Sequence, residues 1–274
     1  MRRKGECKMK KIGMTEAGDA GIDLTWFDKV KNNDDLVGTI LITKGVANKP
    51  FRTKALELIK YKPVIIHAGI TGWGGSPMEP QIKTPEESIN AIRELIDAGF
   101  PATNIVLRID PIFPNDEGLQ RATHVIDLAK NIIPDVKRIR ISIYDDYYRA
   151  RQEIVSRGYK PIDKVAKWKN ELERRPTKEQ VKAVAEALMK AANPDQVFEL
   201  CAEPELAEAY PDRFKWFGCL SHKDCKIMGI EVPAGTGING QNRFGCRCLQ
   251  MKTELLSNKK RCPHNCAYCY WGRN

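Results

Sequence analysis

Short runs of β-branched and other apolar residues recur along the first two hundred positions of the chain. Runs this short and this nearly continuous are typical of strands that are buried on both faces of a parallel sheet. We therefore predict five parallel strands, at residues 38–43, 63–67, 104–109, 136–143 and 197–201.

Amphipathic stretches separate these runs, and each is long enough to be a crossover helix. Thr84 is a suitable N-cap for the second of them, and Gly99 and Gly158 stand where helices would end. Strand and helix alternating five times predict an α/β architecture, either an open doubly wound sheet or a partial (β/α) barrel. The predicted helices lie at 51–61, 85–98, 117–131, 146–158 and 177–192.

The pattern changes after about residue 203, where Gly, Cys and basic residues dominate and no strand is expected. A segment of this composition can be ordered by bound metal. We therefore divide the chain into a basic tail (1–14), a sheet-and-helix region (15–203) and a cysteine-rich segment (204–274). Within the second region, the Lys- and Glu-rich residues 160–175 predict an exposed, helical insertion.

Composition excludes several classes of protein. Of the 274 residues 42% are hydrophobic, which is too many for a disordered chain. No apolar run reaches the ~18 residues of a membrane helix, and the N-terminal residues lack the apolar core of a secretion signal. We therefore expect a cytoplasmic protein without a membrane partner.

The formal net charge of +10 is concentrated at the two ends of the chain. Residues 1–12 hold six basic residues and one acid, and residues 243–274 hold seven and one, whereas the rest is nearly balanced. This distribution favours an anionic partner such as DNA, RNA or a nucleotide. The alternative is that basic groups balance metal-bound thiolates or form solvated tails.

The most specific motif is a Cys-x3-Cys-x2-Cys run made by Cys262, Cys266 and Cys269. Three thiolates this close in sequence can bind one small inorganic core and leave its fourth metal without a protein ligand. Such an open metal is a place for a substrate or cofactor. The competing interpretation is a zinc site in which His264 supplies the fourth ligand.

This motif, with an aromatic residue before its last cysteine, resembles that of the radical S-adenosylmethionine superfamily. The resemblance implies a [4Fe-4S] cluster on the three cysteines, with S-adenosylmethionine chelated at the open iron and Tyr268 near its adenine. It also implies a 5′-deoxyadenosyl radical as the reactive species and a reductant such as flavodoxin or ferredoxin as partner.

The superfamily usually carries this motif near the N-terminus. Here the rest of the chain resembles an uncharacterised family of such proteins that carries it at the C-terminus. That resemblance spans about residues 38–274 and implies a partial barrel of about five to six βα units, with the cysteine segment over the C-terminal edge of the strands. The matching pieces are 42–44, 70–74, 79–80, 108–112, 141–143, 145, 147, 241–243, 246–248 and the final Cys-Tyr-Trp.

Such barrels build their sites from residues at the C-terminal ends of the strands. The expected catalytic residues are Lys44, Asp110 and Tyr144. The expected cofactor-binding residues, besides Tyr268, are Gly72, Gly74, Gly75, Glu79, Arg108 and Ser142.

Each of these candidates also has a structural interpretation. The glycines would let a ligand approach the backbone or would only link a strand to a helix. Arg108 and Asp110 alternate along one strand, so they would bind cofactor groups together or form an ion pair. Glu79 would be a ligand or part of a turn, and His67 is expected to be a packed histidine.

Four of the remaining cysteines are candidates for a second cluster, and zinc is the alternative. Buried thiols without metal are the third possibility, and disulfides are not expected in a reducing compartment. The four that best match the family pattern are Cys201, Cys219, Cys246 and Cys248.

Taken together, these features predict a radical S-adenosylmethionine enzyme that abstracts hydrogen from an anionic substrate. A nucleic-acid base or modified nucleotide fits best, as in rearrangement of a modified pyrimidine or lesion repair. The alternatives are a small-molecule substrate or a zinc-stabilised protein that binds nucleic acid without catalysis.

Overall fold

The computed structural model describes residues 10–160, 162, 166–167, 173–241, 245–257 and 262–269. Within them, an eight-stranded sheet in which every pair is parallel carries helices along one face. This confirms the α/β class. The strand order is β10-β9-β5-β4-β3-β2-β1-β11, and a smaller antiparallel sheet has the order β6-β8-β7.

The strands have the following bounds: β1 Lys11–Met14, β2 Leu36–Thr43, β3 Val64–Gly69, β4 Ile105–Ile112, β5 Arg138–Ile143, β6 Asp146–Tyr147, β7 Ala166–Lys167, β8 Glu173–Arg175, β9 Phe198–Leu200, β10 Phe214–Trp216 and β11 Lys252–Glu254. All five predicted strands are present, as β2, β3, β4, β5 and β9.

The helices are α1 Trp26–Lys31, α2 Lys49–Leu58, α3 Pro85–Asp97, α4 Asp116–Ile132, α5 Tyr148–Ser156, α6 Lys178–Ala191, α7 Pro204–Ala209 and α8 His222–Ile227, with a 3-10 turn at Ala102–Asn104. The five predicted helices correspond to α2 to α6. Thr84 caps α3 through a capping box with Glu87, as its position before the helix predicts.

The two faces of the large sheet are covered by different parts of the chain. Alternate residues such as Ile66 and Leu107 pack against the helices in the main core. Their neighbours Ile65 and Val106 point to the other side, which we call the inner face, and pack there against the cysteine-rich segment. Burial on both faces explains the apolar residues at successive positions of these strands, such as Ile65 with Ile66 and Val106 with Leu107.

Three strands arise where the sequence predicted none. Lys11–Met14 was expected in a basic tail but forms β1, between β2 and β11. Phe214–Trp216 and Lys252–Glu254 lie in the segment for which no strand was expected, yet they add β10 and β11 to the sheet. Each is only three or four residues long, so its conformation depends on pairing with a neighbouring strand of the sheet.

The prediction of a helical insertion at residues 160–175 is wrong for two parts of that stretch that the structure describes. Residues 166–167 and 173–175 are strands, and β8 pairs with both β6 and β7. Apart from residues 160 and 162, the remainder of that stretch lies outside the described residues.

Among the described helices, none combines the length and the apolar character needed to cross a bilayer.

Candidate site at the C-terminal ends of the strands

The cysteines of the terminal motif lie on two tight turns within residues 262–269. Asn265 has a φ of 55°, a left-handed conformation that asparagine tolerates better than most residues. The amide of Cys269 donates to the carbonyl of Cys266 over 3.2 Å. The last two cysteines of the motif therefore stand on one turn.

Hydrogen bonds hold these turns over the edge where the strands end. The Ala267 amide donates to the carbonyl of Met78, in the loop after β3, over 2.9 Å. Arg157, which follows α5, donates from Nη1 to the Asn265 carbonyl over 2.8 Å. The loop after β3 and the end of α5 thus position the cysteine motif.

Asp19, in the loop after β1, is a third attachment point. Its carboxylate accepts from the Thr43 hydroxyl at 2.6 Å and from the Lys44 amide at 2.7 Å, and it lies 2.9 Å from Nε2 of His264. Burial opposes ionisation, but the His264 contact and these hydrogen bonds hold the pKa of Asp19 below its ordinary value. His264 is therefore in contact with a carboxylate from the loop after β1.

A buried charge pair stands beside Cys266. Lys44 Nζ lies 3.0 Å from Oε1 of Glu79, whose side chain is 1% exposed, and the Tyr268 hydroxyl donates to the same carboxylate. Burial lowers the pKa of Lys44, but the charges of Glu79 and Cys266 outweigh it and raise that pKa above its ordinary value. Burial raises the pKa of the Cys266 thiol to about 12, and Lys44 opposes this rise.

Aromatic rings form the apolar wall of this site. The Tyr268 ring meets Phe113 edge-on at 5.8 Å, and Phe113 stacks on Tyr144 at 4.5 Å and meets Trp73 at 5.5 Å. Tyr144 is buried, and its hydroxyl faces Asp146 at 3.5 Å. Burial, with that carboxylate, raises the pKa of Tyr144, which keeps its hydroxyl protonated. Tyr144, one of the expected catalytic residues, therefore lies in the aromatic wall of the site.

Arg108 and Asp110 share one face of β4, as their alternation predicts. Arg108 Nε donates to Oδ2 of Asp110 over 2.7 Å, while its Nη1 donates to the sulfur of Cys219 over 3.4 Å. Lys44 Nζ donates to the Asp110 carbonyl over 3.4 Å. The ion pair therefore links the environment of Cys266 to that of Cys219.

The three glycines of the loop after β3 have structural reasons to be glycine. Gly72 has a φ of 89°, and a Cβ there would come within 2.7 Å of Arg121 in α4. A Cβ on Gly74 would overlap the carbonyl oxygen of Lys83, and Gly75 has a φ of 78°. The close packing of the loop thus accounts for these residues through backbone geometry.

Ser142, on β5, contacts an acid that the motifs did not single out. Its hydroxyl and the Ile143 amide donate to Oε1 of Glu203, over 3.0 and 2.8 Å. Burial raises the pKa of Glu203 to about 8. This carboxyl group follows β9 and so lies at the same edge of the sheet as Glu79.

The four cysteines expected to form a second site are together on the inner face. Cys201 and Cys219 have sulfurs 3.4 Å apart, and the Cys219 amide donates to the sulfur of Cys248 over 3.0 Å. Cys246 packs with these three cysteines in the same buried cluster. Cys225 lies in α8, where burial raises its pKa to about 11.

The basic residues near the cysteines are described only in part. Arg247 stacks on Trp216 at 4.7 Å, and Lys252 lies 2.6 Å from the carboxylate of Glu16. The others, together with Cys7, lie outside the described residues: Arg243, Lys259, Lys260, Arg261 and Arg273.

Asp19 and Glu203 are the two polar residues of this edge whose contacts the sequence did not reveal. Asp19 follows a strand that is too short to predict, so no strand end marked it. Glu203 was recognisable only as a residue near the end of β9. Their positions depend on the folding of the whole sheet edge.

A comparison with curated proteins gave no match to this chain. A family profile described as a domain of unknown function, DUF1848, matches residues 25–271. That match includes both groups of cysteines and all but the first strand of the large sheet. The protein therefore belongs to the DUF1848 family.

Proposed function

We propose that this protein is a radical S-adenosylmethionine enzyme whose cluster site is formed by Cys262, Cys266 and Cys269. The observation that carries the proposal is the attachment of this three-thiol segment to the loops after β1 and β3 and to Arg157 at the end of α5. In α/β proteins the C-terminal ends of parallel strands are where catalytic groups gather.

The order of the strands supports a partial (β/α) barrel as the framework. Across the sheet, β1 to β5 lie in chain order, β9 and β10 follow β5, and β11, the last strand of the chain, lies beside β1 at the other edge. The helices that connect neighbouring parallel strands, α2, α3, α4 and α6, all pack in the core on one face, whereas the short α8 packs on the inner face. A doubly wound sheet, by contrast, would reverse direction at a switch point and carry helices on both faces.

The residues present fit an iron–sulfur cluster by their chemistry. Three thiols within eight residues, with no fourth cysteine among residues 262–269, leave one iron of a [4Fe-4S] cluster open. When bound, the cluster and S-adenosylmethionine would supply an electron and a 5′-deoxyadenosyl radical that removes hydrogen from the substrate.

Charged and aromatic side chains around Cys266 provide a positive charge, fixed contacts and an apolar wall. Lys44 brings a positive charge to Cys266, which favours the thiolate that metal binding needs. Glu79 fixes both Lys44 and the Tyr268 hydroxyl, so the side chains on either side of Cys266 have defined positions. Phe113 and Trp73 complete an apolar wall that limits the access of water to reactive species.

For the substrate we propose an anionic molecule, a nucleic-acid base or a nucleotide, on the strength of the basic ends of the chain. A zinc site at the terminal cysteines is less well supported. Its fourth ligand would be His264, which lies in the three-residue loop between Cys262 and Cys266, and so short a loop restricts the approach of the imidazole to a metal that both cysteines bind.

The test is anaerobic reconstitution with iron and sulfide, followed by dithionite and S-adenosylmethionine and a measurement of 5′-deoxyadenosine. The wild type and Cys225→Ala should form it, and Cys266→Ala should not. Cys225→Ala is the matched control, because it removes a buried thiol from α8. Product from Cys266→Ala, or an iron-loaded wild type that leaves S-adenosylmethionine intact, would overturn the proposal.

A further inference from the structure

Four thiols from three distant parts of the chain meet on the inner face of the sheet, and none belongs to the terminal motif. Cys201 follows β9, Cys219 follows β10, and Cys246 and Cys248 precede β11. Contacts join Cys201 to Cys219 and Cys219 to Cys248, and Cys246 packs in the same buried cluster. All four side chains are buried. Bringing four thiols into one buried place from such separate segments indicates a shared ligand.

Charged side chains lie against this group of thiols. Arg108 donates to the Cys219 sulfur over 3.4 Å, and Arg140 donates to the Cys219 carbonyl over 3.1 Å. A carboxylate oxygen of Glu16 and the sulfurs of Cys219 and Cys248 all lie within 4.8 Å of one another. Adjacent anions in a buried site repel each other, and a bound metal cation removes that repulsion.

The spacing of the sulfurs fits ligation better than a covalent bond. The 3.4 Å between the Cys201 and Cys219 sulfurs is far longer than the about 2.05 Å of a disulfide. It is close to the edge of a tetrahedron of thiolates around one ion, which is about 3.8 Å for a metal–sulfur bond of about 2.3 Å.

We propose that Cys201, Cys219, Cys246 and Cys248 form a second metal centre, which binds a thiophilic metal as a zinc ion or as an iron–sulfur cluster. The centre ties the segments before and after α8 to β9 and to Arg108 on β4. It is independent of the proposed function, because the terminal cysteines take no part in it.

The experiment counts zinc, iron and sulfide in a full-length variant that carries Cys262→Ala, Cys266→Ala and Cys269→Ala. This triple variant should retain about one zinc, or the iron and sulfide of one cluster, per chain. Adding Cys219→Ala should abolish that binding, whereas adding Cys225→Ala should leave it unchanged. The ratio of zinc to iron identifies the occupant.

Metal retained in full after Cys219→Ala, or absent from the triple variant, would overturn the proposal. If the Cys219→Ala protein does not fold, cobalt(II) is added to the metal-free triple variant. Four-thiolate ligation predicts intense sulfur-to-cobalt charge-transfer absorption and a raised thermal midpoint. No such absorption, or a Cys201–Cys219 disulfide found by mass spectrometry after alkylation, would refute the centre.

Discussion

Replacing Glu199 by glutamine should strongly destabilise the protein, because its carboxylate is the shared acceptor of three cations. Arg138 Nε and Lys223 Nζ donate to it over 2.8 Å each, and Arg140 Nε donates over 3.2 Å. The carboxylate is 1% exposed. Burial raises its pKa, but the two arginines outweigh burial and hold the pKa of Glu199 well below its ordinary value.

The size of the expected loss in unfolding free energy depends on the partners that the arginines keep in the variant. Removing one partner of a buried charge pair costs about 3 to 5 kcal/mol. Asp224 still accepts from Arg138 at 2.7 Å in the variant, so the lower end of about 3 kcal/mol applies. With a urea m-value of about 3 kcal/mol/M, the unfolding midpoint should fall by about 1 M.

The assay is urea unfolding followed by tryptophan fluorescence. Glu186→Gln is the matched control, because its exposed carboxylate lies 3.7 Å from Lys182 on the surface of α6. That pair should contribute less than about 0.5 kcal/mol. If the two variants had the same midpoint to within about 0.2 M, the ion pairs of Glu199 with Arg138 and Arg140 would not stabilise the fold as we expect.

Three further changes test other parts of the structure. Gly74→Ala should lower the free energy of unfolding by about 3 kcal/mol, because the new methyl group would overlap backbone atoms. Gly99→Ala should lower it by only about 1 kcal/mol, because Gly99 has a φ of 98° but open space around it. Thermal unfolding of the two variants measures this difference. Thr84→Ala should cost about 1 kcal/mol through loss of the α3 cap, and an unchanged melting temperature would contradict this. Burial, and then the charges of nearby arginines, lower the pKa of His67 well below its ordinary value. The unfolded state therefore binds a proton that the folded state does not, and the free energy of unfolding should fall as the pH drops below about 6.5. His67→Gln should reduce that slope between about pH 7 and pH 5, and equal slopes would refute the assignment.

The sequence predicted long elements well because each carries its own signal. The apolar run in β3, Val64–Gly69, is too continuous for a half-exposed strand, and Thr84 marks the start of α3. By contrast, β10 and β11 have only three residues each, and residues 166–167 and 173–175 are rich in charge. Pairing partners distant in sequence decide their conformation, and no local pattern reports such partners.

The candidate site divides in the same way. The terminal cysteines were predictable because their spacing is local, and Lys44 because it directly follows a strand. The contact of Asp19 with His264 joins residues at opposite ends of the chain, so only the folded sheet edge reveals it. Tyr144, which the sequence suggested as catalytic, stacks on Phe113 in the wall of the site, a contact that no local pattern indicates.

The central claim is that the three terminal thiolates leave one iron open for S-adenosylmethionine. Electron paramagnetic resonance of the reduced, reconstituted protein tests it most directly, with spectra recorded before and after S-adenosylmethionine is added. We expect a [4Fe-4S]⁺ signal whose g-values change on addition in the wild type and in Cys225→Ala, and no such change in Cys266→Ala. A wild-type spectrum that is identical with and without S-adenosylmethionine would contradict the account.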